Sequence, residues 1–577
     1  MYKKVLYILL FLLLAGFITP PLQASEETGK LIENLGSNDP NTLQAARERL
    51  TEMGSEAVPI LIEALKNKNK TIRTEAVYIL GYTGDLRASR PLIELLKEQD
   101  KDLVILSINS LSYIRALDAV PSIVEFLKNN DVDIRLTAVT ALGTIGDKKA
   151  IPHLIETLKN DKDKGVRSAA ANSLSYMYDK KAEKPLIEAL KDTDSEVRAA
   201  AASALGCIKG KETLDSLSNV LTSDKSPDVR SAAAVSLSYF PSEKSMKALI
   251  RALQDKESSV RYNAASSLQY MFYPEATGAL IELLKKEKDQ NIKVTAIYSL
   301  GALKNPEALD ILINMLKDPD SSIRIAAVSS LSYYKEDRVI DILIKMLDDK
   351  EINVRYTVIT ALSAIGGEKA LSPILTALKD SNSDIRSNAA SSLSYIKDDK
   401  SVKPLIELLL KDKESSVRVS AAYSLAYFPD PEVEEALIKA LKDPEPTVRA
   451  AAVSSLNGMT PAVVSHLINA MNDEDENVRA SIATVLAGFN SEKEVMEALI
   501  KAMKDKSPSV RSAAAYSLGV YTNNEKVKEV LLAGVDDKDT TVRTAVITSL
   551  ANYSDEKIIT KLINLLTKEA DKNVRSS

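Results

Sequence analysis

The segment "RSAAANSLSYM", residues 167–177, recurs along this chain with small changes. Related copies are "RSAAAVSLSYF" (230–240), "RIAAVSSLSYY" (324–334) and "RSNAASSLSYI" (386–396). Each copy begins with an arginine and then carries no charged residue, although 27% of the 577 residues are charged. Such a recurrent gap in charge indicates that this segment packs or binds in a way that a charge would disturb.

One repeat accounts for almost the whole chain. When the copies are aligned on their arginine, which we call position 0, they follow one another every 30 to 32 residues from position 73 to position 575. Val104 and Lys293 stand at position 0 in two copies, and Leu43 marks an earlier, more divergent one. The period and its persistence predict an array of similar units rather than separate domains.

Each copy has the pattern of two short helices. In residues 182–208, "KPLIEALKD" and "VRAAAASALGCI" carry apolar residues at helical spacing, and "DTDSE" between them offers residues that cap the second helix. A pair of such helices cannot bury its apolar side alone, so neighbouring pairs must stack. The sequence therefore predicts an all-α fold, an α-solenoid of about 17 helix pairs.

The repeat resembles HEAT repeats in its pattern of an acid, four variable residues, Val-Arg and Ala-Ala after "PLIE". Its short period resembles the HEAT-like repeats also found in phycobiliprotein bilin lyases. The resemblance covers residues 25–577, which we expect to form one continuous array with a terminal half repeat. It implies a right-handed superhelix with the arginine-bearing helices on the concave side, and a scaffold that binds protein partners.

An acid usually precedes the arginine by six residues. We interpret the two positions as a structural ladder that bonds within and between repeats, and we expect Arg167 to pair with Asp161. This resembles the Asp–Arg ladder of HEAT proteins. A basic row that binds anionic ligands is the weaker alternative, since the charges are already matched. The ladder comprises Arg167, Arg198, Arg230, Arg261, Arg324, Arg355, Arg386 and Arg418 with Asp161, Asp192, Asp224, Asp255, Asp318, Asp349, Asp380 and Asp412.

Charge is excluded from positions +1 to +9. In the 16 copies from position 73 to position 543, these 144 sites hold one charged residue, Glu75, where the mean composition would place about 39. Positions −1, +3, +7 and +10 share one helix face and should form the core, as Val166, Ala170, Leu174 and Met177 do in one copy. Positions +1, +5 and +8 lie opposite that face, so the core alone does not explain the missing charge.

Two explanations compete for the uncharged face. In the first, adjacent arginine-bearing helices are so close that only Ala, Ser and Gly fit. In the second, tyrosine, serine and asparagine form a groove that binds a protein, a peptide or a glycan. The two are compatible at different positions, and tyrosines buried between repeats would remove the main support for the groove. Its candidate residues are Tyr113, Asn172, Tyr176, Tyr239, Tyr270, Tyr298, Tyr333, Tyr395, Tyr423 and Tyr427.

Several function classes lack the residues that they need. The sequence offers no catalytic or metal-binding constellation and no cofactor motif, since His153 and His466 are ten repeats apart and Cys207 is the single cysteine. A net charge of −5 without a basic block argues against nucleic acid. We predict a binding scaffold and no enzyme; a structural spacer of the cell envelope is the alternative, and a bilin-lyase-like enzyme or enzyme subunit comes last.

The two ends of the chain carry their own expectations. "MYKK" followed by the apolar run 5–17 and small residues up to Ala24 predicts a signal peptide over residues 1–24, with an uncleaved anchor as the alternative. We therefore expect an exported protein, periplasmic or extracellular, without a membrane span after signal removal. The apolar helix pattern of residues 557–568 lacks the cover of a following helix, which makes self-association through this end the simplest hypothesis.

Overall fold

The computed structural model describes residues 26–566 and 574, apart from residues 523, 552, 554 and 555. The described part is built from α-helices and short 3-10 turns and contains no strand. It divides into two units, Met1–Leu303 (unit 1) and Lys304–Ser577 (unit 2). The predicted signal peptide, residues 1–24, lies outside the described residues.

Two kinds of helix alternate along the chain, and we call them the first helix and the arginine helix of each repeat. In unit 1 the first helices are Glu26–Asn34, Val58–Ala64, Ser89–Leu95, Val120–Glu125, Ile151–Asn160, Glu183–Ala189, Thr213–Ser223, Glu243–Ala252 and Thr277–Lys286. The arginine helices of unit 1 are Pro40–Met53, Lys70–Thr83, Lys101–Tyr113, Val132–Ile145, Lys164–Tyr176, Ser195–Ile208, Pro227–Leu237, Ser258–Gln269 and Gln290–Leu303.

Unit 2 continues the same alternation. Its first helices are Leu309–Met315, Asp337–Lys345, Glu368–Ala377, Val402–Lys411, Pro431–Ala440, Val464–Ala470, Lys493–Ala502, Glu525–Gly534 and Glu556–Leu566. Its arginine helices are Ser321–Leu331, Ile352–Ile365, Ser383–Ile396, Ser415–Leu425, Pro446–Ser455, Glu476–Leu486, Pro508–Leu518 and Thr540–Leu550. The described residues thus form 17 helix pairs and one further first helix, which confirms the predicted α-solenoid.

Single 3-10 turns connect many of these helices, most often before a first helix. They are Gly54–Glu56, Leu86–Ala88, Leu117–Ala119, Phe126–Lys128, Lys148–Ala150, Lys180–Ala182, Pro274–Ala276, Pro306–Ala308, Met346–Asp348, Asp399–Ser401, Pro461–Val463 and Ala487–Phe489.

No described helix is both long and apolar enough to span a bilayer.

The arginine helices begin where the sequence places a cap. Asp163 precedes helix Lys164–Tyr176 and accepts a hydrogen bond from the Val166 N–H, while Asp194 accepts one from the Glu196 N–H in the next repeat. A carboxylate at this place satisfies an N–H that has no partner within the helix and favours the positive end of the helix dipole. The same kind of cap begins arginine helices in both units, as Asp320 and Asp475 show in unit 2.

The core lies between the two kinds of helix, on the face that the periodicity predicted. Val166, Ala170 and Leu174 are fully buried and Met177 is nearly so, which confirms the predicted core positions −1, +3, +7 and +10 in this copy. Leu186 of the following first helix is also fully buried. Burial of such aliphatic side chains contributes about 1.5–3 kcal/mol each.

The arginine at position 0 links each repeat to the next. Arg167 donates from Nε and Nη2 to the two carboxylate oxygens of Asp192, at 2.8 and 2.9 Å. Its Nη1 donates to the main-chain carbonyl of Asp161, at 2.9 Å. One guanidinium thus binds the carboxylate of the following repeat and the backbone of its own turn, and we call this arrangement the arginine fork.

The expected pairing of Arg167 with the Asp161 carboxylate is wrong. That carboxylate accepts hydrogen bonds at 2.8 and 3.0 Å from Arg135 of the preceding repeat. The acid sits in the turn before the arginine helix, where its carbonyl faces the arginine of its own repeat and its side chain faces the preceding one. The ladder therefore runs between repeats through side chains and within a repeat through the main chain.

The fork recurs in both units. In unit 1 it pairs Arg135–Asp161, Arg167–Asp192, Arg198–Asp224, Arg230–Asp255 and Arg261–Glu287. In unit 2 it pairs Arg324–Asp349, Arg386–Asp412, Arg418–Asp443, Arg449–Asp473, Arg479–Asp505 and Arg511–Asp537. Two repeats form part of the fork: Arg73 binds Glu98 through Nη1, and Arg355 binds the Asp349 carbonyl with its Nε 3.7 Å from Asp380. Asp318 offers its carbonyl to Arg324 and its carboxylate to the Asp320 N–H.

Adjacent arginine helices pack through small residues. The Ser173 hydroxyl at position +6 donates to the Val139 carbonyl of the preceding repeat, at 3.0 Å, and Ser110, Ser267 and Ser517 make the same contact in their repeats. Opposite such a serine stands Gly143 at position +8, where a Cβ would lie 2.6 Å from the Ser173 hydroxyl oxygen. Crowding therefore explains the missing charge at position +6 and at those +8 positions where glycine faces a serine.

Replacing Arg324 by alanine should destabilise unit 2 by about 3 kcal/mol or more, because it leaves the buried Asp349 carboxylate without its partner. The urea midpoint should fall, and amide exchange should accelerate in helices Ser321–Leu331 and Ile352–Ile365. Arg338→Ala is the matched control, since the Arg338–Asp310 pair is mostly exposed and should cost under about 1 kcal/mol. Equal effects of the two variants would contradict a stabilising fork.

Acid should weaken the fork selectively. Hydrogen bonds from Arg261 lower the pKa of Glu287 from 4.5 to about 2. Because the folded-state pKa is depressed, the stabilisation is present above pH 4.5 and is lost as the pH falls towards about 2. The Tm difference between wild type and Glu287→Gln should therefore be largest near pH 7 and shrink by pH 2.5. The exposed Glu275→Gln control should show no such pH dependence; a Glu287→Gln difference that stays constant with pH would refute the link.

The crowding between arginine helices is testable at two glycines of unit 1. Gly143→Ala should destabilise, because its new Cβ would also lie 2.7 Å from the Ser173 Cβ and 3.0 Å from its Cα. Gly278→Ala, in a first helix with no atom within 4 Å of the new Cβ, should be neutral or stabilise by up to about 1 kcal/mol. Chemical denaturation measures both; a stable Gly143→Ala would rule out crowding as the reason for glycine at position +8.

Candidate binding surface

The tyrosines at position +9 all lie on the exposed part of the arginine-helix layer. Their exposed fractions run from 52% at Tyr239 to 79% at Tyr395. We call the eight residues the tyrosine column: Tyr82, Tyr113, Tyr176, Tyr239, Tyr270, Tyr333, Tyr395 and Tyr427. These rings are therefore not buried between repeats, and the groove hypothesis keeps its main support.

The remaining predicted binding residues stand beside the column. Tyr298 and Tyr423, at position +5, are 37% and 50% exposed, and Asn172 at the same position is exposed as well. In contrast, Ser112 and Ser175 at position +8 are buried. Their hydroxyls donate to the carbonyls of Asn109 and Asn172 in their own helices. Positions +5 and +9 are thus open to a ligand, whereas position +8 belongs to the packing between helices in these two repeats and is exposed in others, as at Ala426.

Three tyrosines of unit 1 form a continuous aromatic cluster. The ring centroids of Tyr78 and Tyr82 are 4.7 Å apart, and those of Tyr82 and Tyr113, on adjacent arginine helices, are 5.8 Å apart. The Arg47 guanidinium lies 5.2 Å from the Tyr78 centroid. A hydrogen bond with Tyr78 raises the pKa of Tyr82. Tyr78 and Tyr82 were not among the predicted binding residues, although their positions, +5 and +9, could have identified them.

Glu75, the single charged residue at positions +1 to +9 of the 16 copies, is paired with an arginine. Both carboxylate oxygens of Glu75 accept hydrogen bonds from Arg47 of the preceding repeat, each at 2.7 Å. The Arg47 guanidinium also lies over the ring of Tyr78, at one end of the aromatic cluster. The surface around positions +1 to +9 therefore presents aromatic rings and hydroxyls, without a free carboxylate.

The N-terminal ends of the arginine helices form a charged rim in which both signs are paired. Lys101 at position −3 lies 2.8 Å from Asp131 and 2.6 Å from Asp133 of the next repeat, and these bonds raise the lysine pKa. Lys70 and Lys164 bridge to the corresponding acids of their next repeats. These three lysines are therefore neutralised by acids of the protein itself.

The described residues contain no cluster of side chains suited to a metal ion. No group of three or more His, Cys, Asp or Glu side chains among them has the arrangement of a metal site. His153 and His466 lie on first helices of different units, Ile151–Asn160 and Val464–Ala470. Cys207 is exposed at position +9, in the place that tyrosine occupies in the repeats before and after it.

Cavities of the first-helix layer repeat with the fold. One of 720 Å³ lies between helices Glu183–Ala189 and Thr213–Ser223 and is bordered by Arg198, and another of 630 Å³ is bordered by Arg261. Their shared place beside a fork arginine identifies them as grooves between successive repeats. The tyrosine column, in contrast, belongs to the arginine-helix layer.

Comparison with known proteins agrees with the repeat and with the fold. A family model described as HEAT repeats matches residues 28–112, 89–175, 155–238, 214–292, 277–352, 340–426, 402–464 and 464–539. A comparison with curated proteins finds no match.

Several solved structures have a similar fold. Yeast importin-beta (Kap95p) aligns with a TM-score of 0.58 at 13% identity, over 96% of this chain and 92% of its own. An importin beta crystallised with ammonium sulfate gives 0.53 at 15%, over 93% and 84%. A Kap95:Nup1 complex gives 0.55 at 12%, over 95% and 91%. At such low identity the likeness extends to the fold alone.

Proposed function

This chain belongs to the HEAT-repeat family, and from that premise we propose that it is a scaffold that binds a protein or peptide partner along the tyrosine column. The observation that carries the proposal is the exposure of eight tyrosines at one repeated position. Tyrosine supplies a large, rigid contact surface at a low cost in side-chain entropy, which is why it is enriched in binding surfaces.

The surroundings of the column support the same function. A monomeric repeat array has no packing need for exposed rings at position +9, since Cys207 and Thr144 occupy that position in other copies. The neighbouring position +5 adds further rings and hydroxyls, which adapt to the backbone of a partner. One solenoid of similar fold, Kap95, has been solved in complex with Nup1, which is an example of a protein partner on this architecture.

We propose no catalytic role for the chain. The titratable groups that recur are arginine–carboxylate pairs engaged in the fork, and the same pair stands in almost every repeat. Catalysis needs a unique constellation with groups free to react, and a uniform ladder does not supply one. The proposal therefore places the function in the surface and not in a reaction.

We also propose that the protein is exported to the periplasm or the cell exterior. The support is the sequence of residues 1–24, with its basic start, 13-residue apolar run and small residues before the expected cleavage site. Concave placement of the arginine helices, as in the HEAT resemblance, is part of the same proposal. A purely structural envelope spacer is the competing function, and it predicts no partner that depends on tyrosine.

Substitution of three column tyrosines in unit 2 tests the proposed function. Tyr333→Ala, Tyr395→Ala and Tyr427→Ala together should reduce capture of the partner from the native envelope fraction at least tenfold, because aromatic contacts dominate such interfaces. The control replaces three exposed apolar side chains of first helices, Leu410, Ile559 and Ile563, by alanine and should leave capture unchanged. Equal capture by all proteins would favour the spacer.

The single cysteine provides a second measurement on the same surface. A benzophenone attached to Cys207 sits in the column between Tyr176 and Tyr239 and needs no engineered site. Illumination should cross-link it to a protein partner in the envelope fraction. The cross-link should weaken with Tyr176→Ala and Tyr239→Ala; undiminished cross-linking would show that the partner does not depend on these rings and would contradict the proposal.

A further inference from the structure

Three lysines of the arginine helices lie over rings of the tyrosine column. In unit 1 the Lys209 Nζ is 5.8 Å from the Tyr239 ring centroid. In unit 2 the Lys304 Nζ is 5.3 Å from the Tyr333 centroid, and the Lys397 Nζ is 5.4 Å from the Tyr427 centroid. In each case the lysine is at position +11 and the tyrosine at +9 of the next repeat, and we call the pair a lysine–tyrosine hook.

The lysines reach the rings from an unusual backbone conformation. Lys209, Lys304 and Lys397 have φ values of 52°, 52° and 55°. The left-handed region is uncommon for residues with a Cβ, and helices usually end there with glycine, as Gly84 and Gly146 do at position +11 of other repeats. Arg115, Tyr178 and Phe272 share this conformation at position +11, so it is the way in which these arginine helices end, and it sets the backbone from which the three lysines reach the next repeat.

The hook lysines are unpaired cations. Within the described part of the chain, none of the three ammonium groups lies within ion-pair distance of a carboxylate, although Lys70, Lys101 and Lys164 on the opposite rim each contact two acids. The ring attracts the ammonium through its quadrupole but accepts no conventional hydrogen bond, so the three N–H donors remain available. Each hook is therefore a positioned cation whose counter-charge is not supplied by the protein.

We propose that each hook binds a carboxylate of an extended, acidic peptide segment that lies along the tyrosine column. The proposal rests on the proposed function and names the chemistry of the partner. In unit 2 the hooks sit on helices Ser321–Leu331 and Ser415–Leu425, three arginine helices apart. At about 8–10 Å per helix this separation is roughly 24–30 Å.

The spacing selects the kind of acidic ligand. An extended peptide advances about 3.1–3.4 Å per residue, so two side chains that reach both hooks of unit 2 stand about eight or nine residues apart. Between the hooks, Tyr395 offers an open ring to an apolar residue such as proline. A uronic-acid polysaccharide carries a charge on every sugar and meets an uncharged surface between the hooks. The lysines also cover the ring faces on which a sugar would stack. A peptide with sparse acids fits both features.

A pair of synthetic peptides tests the proposal on the full chain. The probe carries two glutamates nine residues apart, separated by proline, serine and glycine, and its partner has glutamine at both places. Isothermal titration should give at least tenfold tighter binding of the glutamate peptide, and spacings of four or fourteen residues should lose most of that gain. Equal binding of the glutamate and glutamine peptides, or affinity independent of spacing, would overturn the proposal.

Variants that remove the lysine charge show whether the hooks cause the tighter binding of the glutamate peptide. Lys304→Gln and Lys397→Gln should each lower the affinity for the glutamate peptide about fivefold or more, and the double variant should no longer distinguish it from the glutamine peptide. Lys413→Gln, at the opposite end of helix Ser415–Leu425, makes the same change in net charge and should have no effect. A comparable loss of affinity with Lys413→Gln would mean that the affinity comes from net charge alone and would overturn the proposal.

A gain of binding provides the converse test in unit 1. Gly146 has φ 76°, and a Cβ there meets no atom within 4 Å, so Gly146→Lys should place a lysine near Tyr176 of the next repeat. With Lys209–Tyr239 two helices away, a peptide with glutamates about six residues apart should bind several-fold tighter to this variant. Gly278→Lys adds the same charge to a first helix and should give no gain. The absence of any gain with Gly146→Lys would contradict the proposal.

The outcomes separate this inference from the proposed function. If the tyrosine substitutions abolish partner capture while the lysine substitutions change no binding, the column binds a partner without the hooks. If polygalacturonate binds wild type better than the glutamate peptide and depends on Lys304 and Lys397, the ligand is a polysaccharide and the peptide inference is wrong.

Discussion

The arginine fork is the interaction on which the repeat array depends. A guanidinium such as that of Arg167 binds a carboxylate of the following repeat and a carbonyl of its own turn, so one side chain fixes both the start of a helix and its neighbour. A planar group with five donors can serve these acceptors at once, which a lysine cannot do. Because the charges are largely buried, loss of either partner costs more than loss of a surface pair.

The uncharged segments satisfy two demands at once. At positions +6 and +8, serine and glycine let adjacent arginine helices approach until a hydroxyl of one reaches a carbonyl of the other. At positions +5 and +9, the same helices present rings and hydroxyls to the outside. One pattern in the sequence therefore reflects packing at some positions and an open surface at others, with a single paired exception, Glu75.

The proposed function follows from the way in which repetition displays side chains. A residue type kept at one repeat position recurs at the same place on successive arginine helices, so five tyrosines of unit 1 and three of unit 2 share one exposed position. The lysines at position +11 add positive charge beside those rings at intervals. At positions +1 to +9 of the 16 copies from position 73 to position 543, the single acid is Glu75, which Arg47 neutralises. At the N-terminal ends of the arginine helices, in contrast, Lys70, Lys101 and Lys164 are paired with acids of the next repeat.

Much of this protein could be read from the sequence because a solenoid uses short-range contacts that recur with the repeat. The period determined the helix pairs, and the apolar spacing determined the core face, as at Val166, Ala170 and Leu174. The partner of Arg167 and the contact of Lys209 with Tyr239 depended on tertiary structure. Spacing along one helix cannot tell which neighbouring turn a long side chain reaches. Only stacked repeats decide whether a side chain meets its own turn, the next repeat or solvent.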